Sequence, residues 1–191
     1  MKKSVKWILA AAVAAAAFVG IYFLYGSLKD RYAPEQFAEV TESTGQQEPE
    51  ETEETAAPDF TVLDENGEEV RLSDYAGKPI VLNFWASWCH YCKVEMPDFD
   101  EAYRNHPEIQ FMMVNVTDGS QETMESARDF LTEAGYEFPV FYDTELDAAM
   151  TYGATGLPMT VFIDADGNLV TYARGMLQAQ QLEQGIEMIK P

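Results

Sequence analysis

The hydrophobic pattern divides the chain into three stretches. The first is an uncharged run from Trp7 to Leu28, slightly longer than the roughly 20 residues that cross a hydrocarbon core. Lys2, Lys3 and Lys6 precede it, which predicts an N-terminus on the cytoplasmic side, although Lys29 and Arg31 weaken the asymmetry. A cleaved signal peptide is the alternative, but its apolar stretch would end after about 7 to 15 residues. Here the apolar character continues from Phe18 to Tyr25, and Tyr22, Tyr25 and Tyr32 suit an outer interface. The expectation is an uncleaved transmembrane anchor over residues 1–28.

The second stretch, residues 29–57, has no apolar period and gathers Glu48, Glu50, Glu51, Glu53 and Glu54 among small polar residues. Such a segment buries too little surface to fold alone, so it is expected to be an acidic disordered linker.

The third stretch, residues 58–191, alternates strand-like and helix-like patterns. Phe60 to Leu63 and Glu69 to Leu72 flank an Asn66-Gly67 turn and predict an N-terminal β-hairpin. Ile80 to Trp85 and Ile109 to Val116 are continuous apolar runs, the mark of buried strands. His90 to about Asn105 has helical spacing, with Pro97 expected to kink or break it. Gln121 to Ala134 reads as an amphipathic helix ended by Gly135. A short strand (Pro139 to Tyr142) and a short helix (Glu145 to Tyr152) follow. Thr160 to Ile163 and Leu169 to Ala173 pair across a turn-rich tetrad, and a last helix covers Gln178 to Ile189. The order argues for an α/β domain with a mixed sheet.

Charge narrows the partners. A formal net charge of −21 over 191 residues, with no basic patch, argues against nucleic acid. It also disfavours close approach to anionic headgroups, so any membrane attachment falls to the N-terminal run.

The chemistry lies in the only two cysteines, Cys89 and Cys92, delivered by an apolar strand to the start of a helix. A helix N-terminus stabilises a thiolate and lowers its pKa below the free value of about 8.5. The Cys-x-x-Cys spacing lets the second thiol resolve a mixed disulfide formed by the first. A purely structural disulfide is disfavoured, because so short a ring constrains little of the unfolded chain. Half of a zinc site is the other reading, but no second Cys pair exists, and His90 and His106 are badly spaced for a Cys2His2 set.

Phe84-Trp85-Ala86-Ser87-Trp88-Cys89-His90-Tyr91-Cys92, Glu95-Met96-Pro97, and the run from Tyr152 through Gly156-Leu157-Pro158-Met159 to Asp164 together resemble the thioredoxin superfamily. Within it they are similar to the membrane-tethered ResA/TlpA-like thiol-disulfide oxidoreductases, over about Pro58 to Lys190. The resemblance implies a thioredoxin-like central mixed β-sheet flanked by helices. It implies Cys89 as the exposed nucleophile, Cys92 as the resolving thiol, and Pro158 as the cis-proline beside the site, with the Leu157 backbone pairing to an extended substrate segment.

ResA-like proteins carry a glutamate at the position of Glu95, one helical turn after Cys92, whereas cytosolic thioredoxins place an aspartate where this chain has Asn83. Glu95 is therefore expected to be partly buried, to have a raised pKa, and to exchange a proton with Cys92. A lone helical Glu is otherwise usually exposed. His90 and Tyr91 would tune the thiolate, and Trp88 would be a surface aromatic at the substrate face.

The function implied is an extracytoplasmic disulfide reductase with no cofactor beyond the Cys89/Cys92 pair. Its expected clients are oxidised envelope proteins such as apocytochrome c, and its electron source a membrane dithiol carrier of the CcdA/DsbD kind. The alternatives are an oxidase of the DsbA sort, which a protonated His90 would favour, and a Cu(I)-binding module that uses the two thiols as soft ligands. A thiol peroxidase is disfavoured, because Ala86 stands where a Thr or Ser would be needed.

Overall fold

A computed structural model describes residues 37–39 and 55–190. The expected anchor, residues 1–28, lies outside the described residues. Among those described, no helix is long and apolar enough to cross a membrane.

The described strands form one eight-stranded sheet: β1 (Phe37–Glu39), β2 (Thr61–Leu63), β3 (Glu69–Arg71), β4 (Ile80–Trp85), β5 (Gln110–Asn115), β6 (Val140–Tyr142), β7 (Met159–Ile163) and β8 (Leu169–Arg174). Their spatial order is β1-β8-β7-β4-β5-β6-β2-β3. β4, β5 and β6 run parallel; β7 is antiparallel to β4, β8 to β7, and the β2–β3 hairpin closes the far edge. The sheet is mixed, as the alternation of elements predicted, and the expected N-terminal hairpin is present.

Four α-helices accompany it: α1 (His90–Asn105), α2 (Met124–Ala134), α3 (Asp147–Thr151) and α4 (Ala179–Ile189). The side-chain period of two sends alternate residues of β4 into two apolar layers. Val81 and Trp85 join Cys92, Met96 and Phe99 of α1, Ala127 of α2, and Leu182 and Ile186 of α4. Ile80, Leu82 and Phe84 join Met112, Val114 and Phe141, with Ala148 of α3 behind them. β4 is buried at all six positions, which is why it reads as a continuous apolar run.

Three expectations need correction. The segment expected to be a disordered linker lies outside the described residues at 29–36 and 40–54, but its residues 37–39 form β1, which pairs antiparallel with β8, Phe37 opposite Ala173 and Glu39 opposite Thr171. The ordered domain also begins before Pro58: Leu169 N–H donates to Thr55 O at 2.8 Å and Ala57 N–H to Gly167 O at 2.9 Å. A sheet edge offers unpaired backbone groups that an extended segment of almost any composition can satisfy, so composition gave no warning. Pro97 does not break its helix, since α1 runs through it.

The second long helix starts at Met124 rather than Gln121. Thr123 caps it by accepting the Ser126 N–H at 3.1 Å, while Asp118 Oδ1 accepts the amides of Ser120, Gln121 and Glu122 and holds them in a loop. Gly135, at φ 73°, ends that helix in the left-handed conformation.

Candidate active site

The site forms where β4 hands the chain to α1. Trp85, the last residue of β4, accepts from Val116 N–H at 2.9 Å, and Cys89 N–H closes a turn onto Ala86 O at 3.1 Å. Cys89 is the N-cap of α1, with extended backbone angles, and its Sγ accepts the Cys92 N–H at 3.2 Å. The helix therefore begins on the sulfur itself, among the unpaired N–H groups of its first turn. Cys89 and Cys92 are joined in a disulfide. In this oxidised form Cys89 is 4% exposed and Cys92 fully buried. The expectation of an exposed Cys89 is thus corrected for the disulfide state, in which the residue is nearly as buried as Cys92.

Glu95 lies one turn further along α1 and is buried outright, not partly. Each carboxylate oxygen has one donor. Asn83 Nδ2 donates to Oε1 at 2.9 Å, and Leu177 N–H, just ahead of α4, donates to Oε2 at 2.8 Å. Burial pushes its pKa up from 4.5 to about 7, against the two hydrogen bonds that favour the charged form; Asp98 adds a small push in the same direction as burial. A carboxyl so placed changes charge within the range where thiol exchange is run.

Asn83, fully buried in β4, faces Thr160 on β7 and donates its second Nδ2 hydrogen to Thr160 Oγ1 at 3.0 Å. Its Oδ1 is buried without a partner.

The remaining expected residues surround the cysteines. Trp88 (48%) and Tyr91 (61%) are exposed, as is His90, whose ring meets Tyr91 edge-on at 5.4 Å between centroids. The Leu157–Pro158 peptide is cis. Met159 pairs with Phe84, so Pro158 enters β7 beside the end of β4, next to the loop that carries Cys89. Leu157 is half-buried and packs on both apolar layers.

Sequence reasoning missed a further buried carboxylate, the one that ties down the loop ahead of Cys89. Glu122, fully buried in the loop before α2, accepts Ser87 N–H at 2.9 Å, Ser87 Oγ–H at 2.7 Å and Asn115 Nδ2 at 2.8 Å. Thr117 Oγ1 in turn donates to Asn115 Oδ1 at 2.7 Å. This network ties the loop two residues before Cys89 to the end of β5. The sequence placed Glu122 in the first turn of a helix expected from Gln121, where a glutamate reads as exposed. Val94, half exposed on α1 near Tyr91, also went unremarked.

The AhpC/TSA family profile matches residues 54–172. The thiol-disulfide oxidoreductase ResA of Bacillus thuringiensis subsp. konkukian is 33% identical over 135 residues, covering 71% of this chain and 77% of that protein. ResA of Geobacillus kaustophilus is 36% identical over 139 residues, covering 72% and 78%. Among solved structures, a Chlorobium tepidum protein assigned as thiol:disulfide interchange protein DsbE superposes with a TM-score of 0.63 at 31% identity, covering 70% of this chain and 94% of that one.

Proposed function

We propose, for a chain that belongs to the AhpC/TSA family and is a thiol-disulfide oxidoreductase of the ResA and DsbE type, that it reduces disulfides of extracytoplasmic proteins from a membrane anchor. The observation that carries this reading is the Cys89–Cys92 disulfide at the start of α1 with Glu95 buried one turn below it. The uncharged run from Trp7 to Leu28, with three lysines ahead of it, supports the anchor and the extracytoplasmic side. Clients are oxidised envelope proteins, among them apocytochrome c with an oxidised cysteine pair. The electron source is a membrane dithiol carrier of the CcdA/DsbD kind. The sulfur pair carries both electrons without a further cofactor.

In the reduced protein the Cys89 thiolate, stabilised by the first-turn amides of α1, attacks one sulfur of the client disulfide and expels the other as a thiolate. A mixed disulfide now joins Cys89 to the client. Glu95 takes the proton of Cys92, whose thiolate attacks Cys89 Sγ and releases the second client sulfur. The client disulfide has gained two electrons and the protein holds the Cys89–Cys92 disulfide. Exposed Trp88, Tyr91 and Val94 offer an apolar rim for a client segment, and the backbone at Leu157 offers it an edge.

The test is Glu95→Gln, which keeps the shape and the acceptor oxygen but not the base. Its resolution step near neutral pH is expected to be slower by about 100-fold, the lower end of what a positioned proton acceptor contributes. Equal rates for the two proteins from about pH 5 to about pH 9 would remove Glu95 from the reaction.

A further inference from the structure

Glu95 sits in a pocket whose only side-chain donor to it, among the hydrogen bonds described, is a neutral amide. Asn83 is held by β4 pairing on both sides, to Thr160 on β7 and to Met113 on β5, so its Cα cannot drift from the carboxylate. Its two N–H hydrogens are both directed, one at Glu95 Oε1 and one at Thr160 Oγ1. The consequence is an unpartnered Oδ1 in a fully buried side chain, a group that native interiors rarely leave unsatisfied. An apolar residue at this position would avoid that orphan, as would a side chain whose acceptor found a donor. Of the two buried β4 polar atoms without a partner, Asn83 Oδ1 and Trp85 Nε1, the first belongs to the side chain that donates to Glu95.

We propose that Asn83 is a positioning residue for disulfide exchange: its amide, tied to Thr160 as well, aims a donor at Glu95 Oε1 and so sets the pH at which Glu95 becomes able to accept the Cys92 proton. This rests on the reading of Glu95 as that acceptor. The hydrogen bond is made to the charged form and is stronger there than to the neutral acid, so it opposes the effect of burial. The other groups around Glu95 and its amide donor leave Asn83 as the adjustable one. α1 contributes Asp98, which disfavours the charge; β7 contributes neutral Thr160; and the segment before α4 contributes the Leu177 backbone amide, which no side-chain change removes.

The experiment follows the Glu95 carboxyl carbon and the Asn83 side-chain amide by NMR in the full-length oxidised protein as pH is varied. In the wild type the Asn83 amide signals are expected to move with the same midpoint as the Glu95 carboxyl, because the donor bond weakens as its acceptor takes a proton. Amide signals that stay still through the Glu95 titration overturn the proposal, and this readout needs no variant to fold. In Asn83→Leu the Glu95 midpoint is expected to rise by about one pH unit, the loss of a hydrogen bond to a charged group. The pH profile of exchange should rise with it, while the rate at high pH stays near that of the wild type. A merely structural Asn83 would lower exchange at every pH and leave the midpoint where it was, which also overturns the proposal. Asn83→Ser, which keeps a smaller donor, should fall between the two. These readouts are separate from the test of Glu95 itself: a coupled Asn83 amide with an unimpaired Glu95→Gln enzyme would leave the hydrogen-bond assignment standing and remove the reading of Glu95 as base.

Discussion

Ser87 gives Glu122 both of its donors, the backbone N–H at 2.9 Å and the hydroxyl at 2.7 Å, and so fastens the loop that leads into Cys89 to the loop that precedes α2. A buried carboxylate with three donors is well satisfied, and removing it would strand the Ser87 amide and the Asn115 side chain. Glu122→Ala is expected to destabilise the oxidised protein by about 3 kcal/mol, as loss of a buried charged hydrogen-bond partner does, and to slow exchange by loosening the approach to Cys89. Urea unfolding and exchange rates measured on the same preparation check both effects. A variant as stable and as fast as the wild type would show that the tie is not needed.

Glu95 also makes stability depend on pH. The unfolded chain ionises this residue near 4.5, whereas in the folded protein burial holds it to about 7. Between those values the native state binds more protons, so stability falls as pH rises; the contribution is complete below about 4.5 and gone above about 7. A difference of that size is worth about 3 kcal/mol. Comparing urea midpoints of oxidised wild type and Glu95→Gln across this window isolates the effect, since the other carboxylates titrate alike in both. Parallel curves would mean that Glu95 ionises normally in the folded protein.

The fold reaches the site through α4 as well. Gly185 lies so close to β7 that a Cβ there would come within 2.2 Å of the Phe162 ring, which is itself fully buried. Gly185→Ala should therefore push α4 from the sheet, destabilising by about 1 to 3 kcal/mol. It should also disturb the Leu177 amide that holds Glu95 Oε2. Thermal unfolding together with the Glu95 titration tests the pair of effects, and an unchanged melting temperature would contradict the close packing.

Cys89 is the N-cap of α1, whereas Cys92 lies inside the helix and is fully buried. Cys92→Ser is expected to accumulate a stable mixed disulfide with an oxidised client peptide, because nothing resolves it, whereas Cys89→Ser should form almost none. Intact mass under non-reducing conditions reads the adduct directly. The reverse pattern would exchange the roles of the two cysteines.

Much of this was legible in the chain. β4 and β5 declare themselves because burial on both faces leaves mainly apolar runs, and the Cys-x-x-Cys that follows β4 shows its chemistry by its spacing and its place at a helix start. The place of Glu95 followed from helical spacing and family likeness, but its full burial did not, since that depends on Asn83 and on Leu177, which is far along the chain. Glu122 was hidden for the same reason: its donors come from the Cys89 loop and from β5, and a glutamate among Asp118, Ser120 and Thr123 reads as solvated. β1 was missed because edge pairing is satisfied by backbone groups that every residue carries. Local pattern reports periodicity and turn chemistry; it does not report which distant donors converge on a buried charge.

The most direct test of the account is the reduction potential of the Cys89/Cys92 pair in the full-length protein, by equilibration against dithiothreitol and glutathione couples with Cys89→Ser as the control. A reductase supplied by a membrane dithiol carrier requires a value near or below about −250 mV. A value near about −120 mV would make the protein a disulfide donor and reverse the proposed direction of electron flow.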